Sequence, residues 1–237
     1  MNGGIYFFSP KIFNYLKFRC SLEDDVLPVL IKNKKIQGKI YNEKFIDIGT
    51  PKNLKKIKYK KLDFFKKKVA FLDRDGVINK KIKQGYVLNK NHLELKAGTS
   101  KAIKYLNTKK YLVIVVTNQA CVGKGLITEK DLDKIHNYMK FKIFKTSNGI
   151  INDIFVSPYY KYSKYEKYRQ KKYLRKPNPG MLKEAIKKWN INLSKSFMIG
   201  DQNTDKMAAK KIGLKFWMFQ ENNLNKFIKK KINERSI

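Results

Sequence analysis

From Val69 onward five short apolar runs, VAFLD, YLVIVVTN, DIFVSP, SFMIGD and KFWMF, recur between segments of helical periodicity. The helical segments are TSKAIKYLNT (99–108), TEKDLDKIHNYMKFKIFKT (128–146), GMLKEAIKKWN (180–190) and NTDKMAAKKIG (203–213). Short continuous apolar runs are strands buried on both faces, and strands that alternate with helices pair in parallel with helices on both sides. The expected fold of residues 61–237 is therefore α/β, a three-layer α/β/α Rossmann-like sheet of parallel strands. Thr128 with Asp131 three residues on forms a capping-box start for the second helix, with Asp in place of Glu.

The chain has 237 residues, 42% of them hydrophobic, which is enough for one sizeable domain and excludes a disordered polycation. Its longest apolar run, YLVIVV (111–116), is far short of a membrane span, and MNGGIYFFSPKIF lacks the basic start, apolar stretch and cleavage site of a leader. A cytoplasmic protein without a membrane partner is expected. Cys20 and Cys121 form no CxxC pair, and His92 and His136 have no partners at ligand spacing, so surface or packing roles are expected for both histidines.

The 54 basic residues against 19 acidic ones give a net charge of +35, which favours polyanionic partners. Only five of those basic residues are arginines, and they are scattered. Lys, Asn, Ile, Phe and Tyr abound, as AT-rich codons alone would produce. The charge is read as compositional drift over a dedicated nucleic-acid face, and its field still draws in phosphorylated molecules.

In an open parallel sheet, ligands bind beyond the carboxyl ends of the strands. Those ends supply Asp73 and Asp75, then Thr117, Asn118 and Gln119, then Asp201, while Lys176 precedes a helix in RKPNPG. Three acids on one rim need a cation or a reaction to offset their repulsion. Mg²⁺, which takes one or two carboxylates plus water and phosphate oxygens, suits such a rim.

DRDGVIN, TNQ, RKP and GDQNTD, in this order, resemble the four motifs of the haloacid dehalogenase superfamily of phosphotransferases across about residues 67–220. GYV at 85–87, the Gly98 turn, GKG after TNQ, and RKPNPGM narrow the likeness to its D-glycero-D-manno-heptose 1,7-bisphosphate 7-phosphatase and histidinol-phosphatase branch. The resemblance implies that Asp73 is a nucleophile forming an aspartyl-phosphate and Asp75 the acid and base. It implies Mg²⁺ on Asp73, Asp201 and the Asp75 carbonyl, with Asp205 either capping its helix or supporting the metal shell. It further implies that Thr117 and Lys176 bind phosphate oxygens, that Asn118, Gln119 and Lys124 line the substrate side, and that Arg175 grips substrate. Gly76 leaves room for backbone N–H groups. Arg74 is a structural contact or faces solvent, and Cys121 is a packed side chain.

Two departures bear on substrate. The branch often carries a zinc loop of Cys-x-His and Cys-x-Cys before RKP, where this chain has Ser157, Tyr159, Lys172 and Leu174, so zinc is not expected. SPYYKYSKYEKYRQKKYL carries six tyrosines whose packing would order the loop instead. No long insertion follows Asp75, which implies no large cap and an open site. The expected activity is Mg²⁺-dependent hydrolysis of a small phosphorylated sugar, the 7-phosphate of a heptose 1,7-bisphosphate, by a monomer. Alternatives are a histidinol-phosphate or polynucleotide 3′-phosphatase, and a noncatalytic basic nucleic-acid-binding protein.

Residues 1–60 differ in character. NGGIYFFSPKIF, SLEDDVLPVLI and FIDIGTPKNL resemble the C-terminal third of sugar-1-phosphate nucleotidyltransferases, in which the residue matching Asp47 helps bind metal. The Gly-rich nucleotide-binding start is missing, so a truncated, catalytically inert segment is expected. NGGIYFFS reads as a strand, Ser21 followed by acids as a helix start, KIQGKIYNEKFIDIGTP as a hairpin, and the lysine-rich 56–68 as a linker.

Overall fold

The computed structural model describes residues 4–40, 49–59 and 66–234, and the chain divides into two units, Met1–Phe64 and Phe65–Ile237. In the first unit a 3₁₀ turn, Pro10–Tyr15, precedes a wide helical turn, Leu22–Val26, that runs into α1 (Leu27–Lys32). The expected helix start holds: the Ser21 hydroxyl accepts a bond from the Asp24 N–H, and three acids sit in the first turn against the helix dipole. Val26, Leu27 and Leu30 are buried, with Tyr6, Ile12 and Ile36 packed against them. α2 (Pro51–Tyr59) begins after Thr50 and extends into the stretch read as a linker.

No strand forms among the described residues of this unit. Phe7 and Ile40, placed in a strand and a hairpin by the sequence reading, are almost fully exposed. A strand persists only where a partner takes up its N–H and C=O groups, and an isolated hairpin is marginal in water. FIDI and Asp47 lie outside the described residues.

In the second unit β1 (Val69–Leu72), β2 (Leu112–Asn118), β3 (Asp153–Ser157), β4 (Phe197–Gly200) and β5 (Lys215–Met218) form one sheet in the order β3-β2-β1-β4-β5. Every pairing is parallel, with Val69 opposite Leu112 and Ala70 opposite Phe197. The α/β sandwich of parallel strands is thus the fold, and each of the five apolar runs supplies one strand.

Side-chain alternation divides the core into two layers. Ala70 and Leu72 of β1 pack with α3 (Thr99–Thr108), α5 (Glu129–Ser147) and α9 (Leu224–Asn233), through Ile103, Leu106, Met139, Ile143 and Phe227. Val69 and Phe71 pack on the other side with α7 (Gly180–Trp189) and α8 (Asn203–Lys210), through Met181, Leu182, Ala208 and Ala209. Two single-turn helices, α4 (Ala120–Gly123) and α6 (Lys167–Gln170), lie in the connections after β2 and β3.

α5 starts with the expected capping box: Thr128 Oγ1 accepts from the Asp131 N–H, and Asp131 Oδ2 accepts from the Thr128 N–H. Such a cap is worth about 1 kcal/mol. Its inner face carries Leu132, Ile135, Met139 and Ile143 at helical spacing, and His136 among them. No helix among the described residues is long and apolar enough to cross a membrane.

The strand order reverses at β1. The chain moves outward through β2 and β3, then returns to build β4 and β5 on the other side. A crevice opens at the carboxyl ends of the strands where the order reverses, here β1 and β4.

Candidate active site

The parity that sorts the core also sorts the first residues past β1. Continuing the alternation of Val69 and Phe71, Asp73 falls on the α7–α8 side, and its N–H is still in the ladder, donating to the Ile199 carbonyl at 2.9 Å. Arg74 falls on the α5 side, continuing Ala70 and Leu72. Adjacent residues therefore enter different surroundings.

On the first side Asp73 meets Lys176 and Asp205. Lys176 Nζ lies 2.8 Å from Asp73 Oδ1 and 2.6 Å from Asp205 Oδ1, and donates to the Val116 carbonyl at 2.9 Å. All three side chains are buried. Burial works against the lysine charge, but the two carboxylates hold its pKa above the usual value. Asn118 holds this lysine by its backbone: Asn118 Oδ1 accepts from the Lys176 N–H at 3.1 Å and its Nδ2 donates to the Lys176 carbonyl at 3.1 Å. Asp205 also caps α8, its Oδ2 accepting from the Gln202 N–H at 3.1 Å. The capping role and the place beside the cluster coexist.

Asp73, Asp201 and Asp205 offer carboxylate oxygens within 4.8 Å of one another. Burial, opposed by Lys176 and reinforced by Asp205, pushes the Asp73 carboxyl up to about 7. Asp201 Oδ1 is buried without a hydrogen-bond partner. One buried ammonium, Lys176, between two of the three carboxylates, with an orphaned oxygen on the third, suits a hard divalent cation with oxygen ligands. The donor set fits Mg²⁺.

Gly76 makes the approach of Asp201 possible. It has φ +92°, and a Cβ there would sit 2.4 Å from Asp201 Oδ2 and 2.6 Å from its Cγ. Gly76→Ala is therefore expected to displace Asp201, raising the Mg²⁺ concentration for half-maximal activity by about 10- to 100-fold, the range for disturbed ligand supports. A Mg²⁺ titration of the activity checks this, and an unchanged midpoint would separate Asp201 from the metal.

Asp75 is held differently. Arg74 Nη2 donates to both of its oxygens at 2.9 Å, Arg74 Nε to Oδ1 at 3.1 Å, Asn79 Nδ2 to Oδ1 at 2.9 Å, and Gln119 Nε2 to Oδ2 at 2.8 Å. Burial would raise its pKa, but Arg74 and the two amides outweigh that and lower it. Gln119 Nε2 also donates to Thr117 Oγ1 at 2.8 Å.

Asp73, Asp75, Thr117, Asn118, Arg175 and Lys176 line a cleft of about 210 Å³, with Lys81, Tyr86 and Thr204 also on its wall. Lys81 Nζ is 3.6 Å from Asp201 Oδ2. Gln119 is not on that wall. It is fully buried and braces Asp75 and Thr117 from behind, because its two amide bonds turn it inward. Lys124 stands between the rings of Tyr86 and Tyr160, 5.3 and 5.2 Å from their centroids, outside the cleft wall. Arg175 Nη1 reaches the Tyr159 carbonyl at 3.4 Å.

Arg74 proves to be a buried contact, not a solvent-facing one, and His136 packs against it with Nε2 3.2 Å from Arg74 Nη1. Burial and the Arg74 charge push the His136 imidazole down to about 3, so it is neutral. Cys121 is buried, its Sγ 3.5 Å from Gln119 Oε1, and burial raises the thiol pKa, as suits an inert side chain.

The loop after β3 is tied to α5. Tyr168 donates to Glu129 Oε1 at 2.6 Å, Lys167 pairs with the same oxygen at 3.1 Å, and Arg169 Nη1 donates to the Ser163 carbonyl at 2.7 Å. Tyr168 is buried against Leu132 and Val122. Ring packing and one shared carboxylate hold this tyrosine-rich loop in place.

A strand-end carboxylate pair, a second acid loop across the switch point, and a buried lysine between two of the acids make a site suited to a divalent cation and a phosphoryl group. The HAD-hydrolase-like family model matches residues 173–223. A D-glycero-beta-D-manno-heptose-1,7-bisphosphate 7-phosphatase of Rhodopseudomonas palustris is 34% identical over 165 residues, covering 70% of this chain and 90% of that protein. Its counterpart in Haemophilus ducreyi is 36% identical, covering 63% and 80%. The crystal structure of a D,D-heptose 1,7-bisphosphate phosphatase from B. bronchiseptica, complexed with magnesium and phosphate, superposes with a TM-score of 0.58 at 26% identity, covering 69% and 86%. The chain belongs to the same haloacid dehalogenase family as these phosphatases, and it is a phosphoric monoester hydrolase.

Proposed function

We propose that the chain hydrolyses the 7-phosphate of D-glycero-D-manno-heptose 1,7-bisphosphate through an aspartyl-phosphate on Asp73. The observation that carries this reading is the meeting of Asp73, Asp201 and Asp205 within 4.8 Å at the switch point, with Lys176 between two of them. The names of the relatives supply the sugar, and the open cleft admits a small one.

Asp73 and Asp201, with the Asp75 carbonyl, would hold Mg²⁺, and Asp205 supports them. When bound, the cation offsets the repulsion between these carboxylates and a phosphate dianion and withdraws charge from the phosphoryl oxygens. Lys176 and Thr117 bind phosphate oxygens and stabilise the charge spread over them in the transition state. An Asp73 carboxylate oxygen attacks phosphorus, and the bond from phosphorus to the sugar oxygen breaks. As the dianion arrives, its charge opposes the hold of Arg74 and Asp75 takes up a proton from solvent water. Asp75 gives that proton to the departing oxygen, so the sugar leaves as an alcohol. The Asp75 carboxylate then takes a proton from a water attacking the aspartyl-phosphate. Phosphate departs, Asp73 is restored, and with the dianion gone Asp75 gives its proton to water and returns to the carboxylate that Arg74 favours.

Arg175 and Lys81 flank the cleft and carry positive charge toward a second phosphate. A release assay over sugar bisphosphates, amino-alcohol phosphates and 3′-phosphorylated DNA tests the assignment. Heptose bisphosphate is expected to turn over with the highest kcat/KM. Chelation by EDTA is expected to remove the activity and added Mg²⁺ to restore it. Preference for the DNA end would overturn the sugar assignment, and EDTA-resistant turnover would overturn the metal.

A further inference from the structure

The steps above leave one buried charge without a role. Arg74 has no exposed surface, yet it sits where the β1 alternation asks for an apolar residue facing α5. Taking a guanidinium out of water costs several kcal/mol unless every donor is matched. Here three of its four short bonds go to the neighbouring carboxylate, through Nε and Nη2 to the Asp75 oxygens at 2.9 to 3.1 Å. The fourth links Nη1 to His136 Nε2 at 3.2 Å.

Arginine can only donate, so His136 Nε2 accepts, and the ring is the neutral Nδ1–H tautomer. His136 is itself buried on the inner face of α5, 62 residues away in sequence. A planar fork gripped at one end by a rigid ring holds a carboxylate in one plane. The fork and the core of the domain are thereby joined through a helix that itself stands behind the cleft wall.

We infer that Arg74 and His136 are positioning residues for the acid and base Asp75: His136 fixes the guanidinium, and the guanidinium fixes the plane of the carboxylate that faces the phosphate cleft. The inference rests on the phosphatase reading. Asp75 follows a strand end and has two side-chain torsions of its own, so the plane of its oxygens must be imposed from outside. Proton transfer needs heavy atoms about 2.6–3.2 Å apart, and a misplacement near 1 Å lowers a rate by about 100-fold. A fork that fixes both oxygens meets that tolerance. A lysine, a point charge on a flexible stem, does not.

The first-turnover rate of alcohol release, measured over a series of alkyl and aryl phosphates in the full chain with Mg²⁺, tests this. Alkyl alcohols need a proton as they leave, whereas nitrophenolate does not. His136→Leu is expected to slow alkyl phosphates about tenfold or more and p-nitrophenyl phosphate by less than about threefold. Arg74→Lys is expected to show the same selectivity with a larger loss, about 100-fold on alkyl phosphates. His136→Gln, whose side-chain oxygen can accept from Nη1, is expected to recover most of the loss. Equal slowing across the series would show general loosening of the fold and overturn the inference, as would no slowing at all. If His136→Leu does not fold, the Arg74→Lys series decides alone. Turnover that survives Asp73→Asn would sink the phosphatase reading. An inactive Asp73→Asn beside an Arg74→Lys variant with wild-type leaving-group dependence would sink only this inference.

Discussion

Asp73→Asn is expected to lower turnover by at least about 1,000-fold without unfolding the chain, because an amide of nearly the same shape lacks the anionic oxygen that attacks phosphorus. The contacts that place the side chain survive the change. The Arg74 N–H, which donates to Asp73 Oδ1 at 2.8 Å, and Lys176 both still find an oxygen at that position. The buried carboxylate is disfavoured by its surroundings and by Asp205. Removing its charge should therefore leave the thermal midpoint in Mg²⁺-free buffer within a few degrees of wild type, or above it. Phosphate release, circular dichroism and chemical trapping of the acyl-phosphate read the three parts separately. Loss of trapping with retained fold is the expected pattern. An Asp73→Asn variant that still releases phosphate at more than about a tenth of the wild-type rate would move the nucleophile elsewhere.

The sequence made some of this site legible through periodicity and hid the rest in three dimensions. Five apolar runs became five parallel strands because helices connect each to the next, and the three inner strands are buried on both faces. The rim residues Asp73, Thr117 and Asp201 were readable as strand ends, and the order reversal that joins β1 to β4 explains why two of them converge. Arg74 was harder. The parity of VAFL, carried one step past Asp73, puts residue 74 toward α5. His136 falls in phase with Leu132, Ile135 and Met139 on the inner face of that helix. Each signal is present, but their pairing depends on which helix covers which face. Gln119, expected on the substrate side, sits behind Asp75 because its amide donates to Asp75 and Thr117. In the first unit the strand pattern of NGGIYFFS found no partner strand, and a 3₁₀ turn follows it instead. Alternation specifies a strand only when another chain segment completes the ladder.

Lys176→Met should produce the second large effect, and it separates stability from catalysis. Met fills a similar volume and keeps the apolar stem, so the change removes chiefly the ammonium. That ammonium lies within 3 Å of both Asp73 and Asp205, both buried, and it also donates to the Val116 carbonyl. Removing one partner of a buried ion pair costs about 3–5 kcal/mol, because the remaining charges are left without compensation. Part of that loss is recovered when Asp73 takes up a proton. In Mg²⁺-free buffer the variant should therefore melt several degrees below wild type. Added Mg²⁺ should raise its midpoint more than it raises the wild-type midpoint, since the cation then supplies charge that the lysine no longer does. Turnover should not follow. The lysine also stabilises the charge spreading over the phosphoryl oxygens, and losing one such donor costs about 100- to 1,000-fold in kcat. Melting curves and kcat measured at matched Mg²⁺ concentrations give the two answers. Parallel recovery of stability and kcat would reduce Lys176 to a counter-charge for the carboxylates. Recovery of stability alone would place it on the phosphoryl group in the transition state.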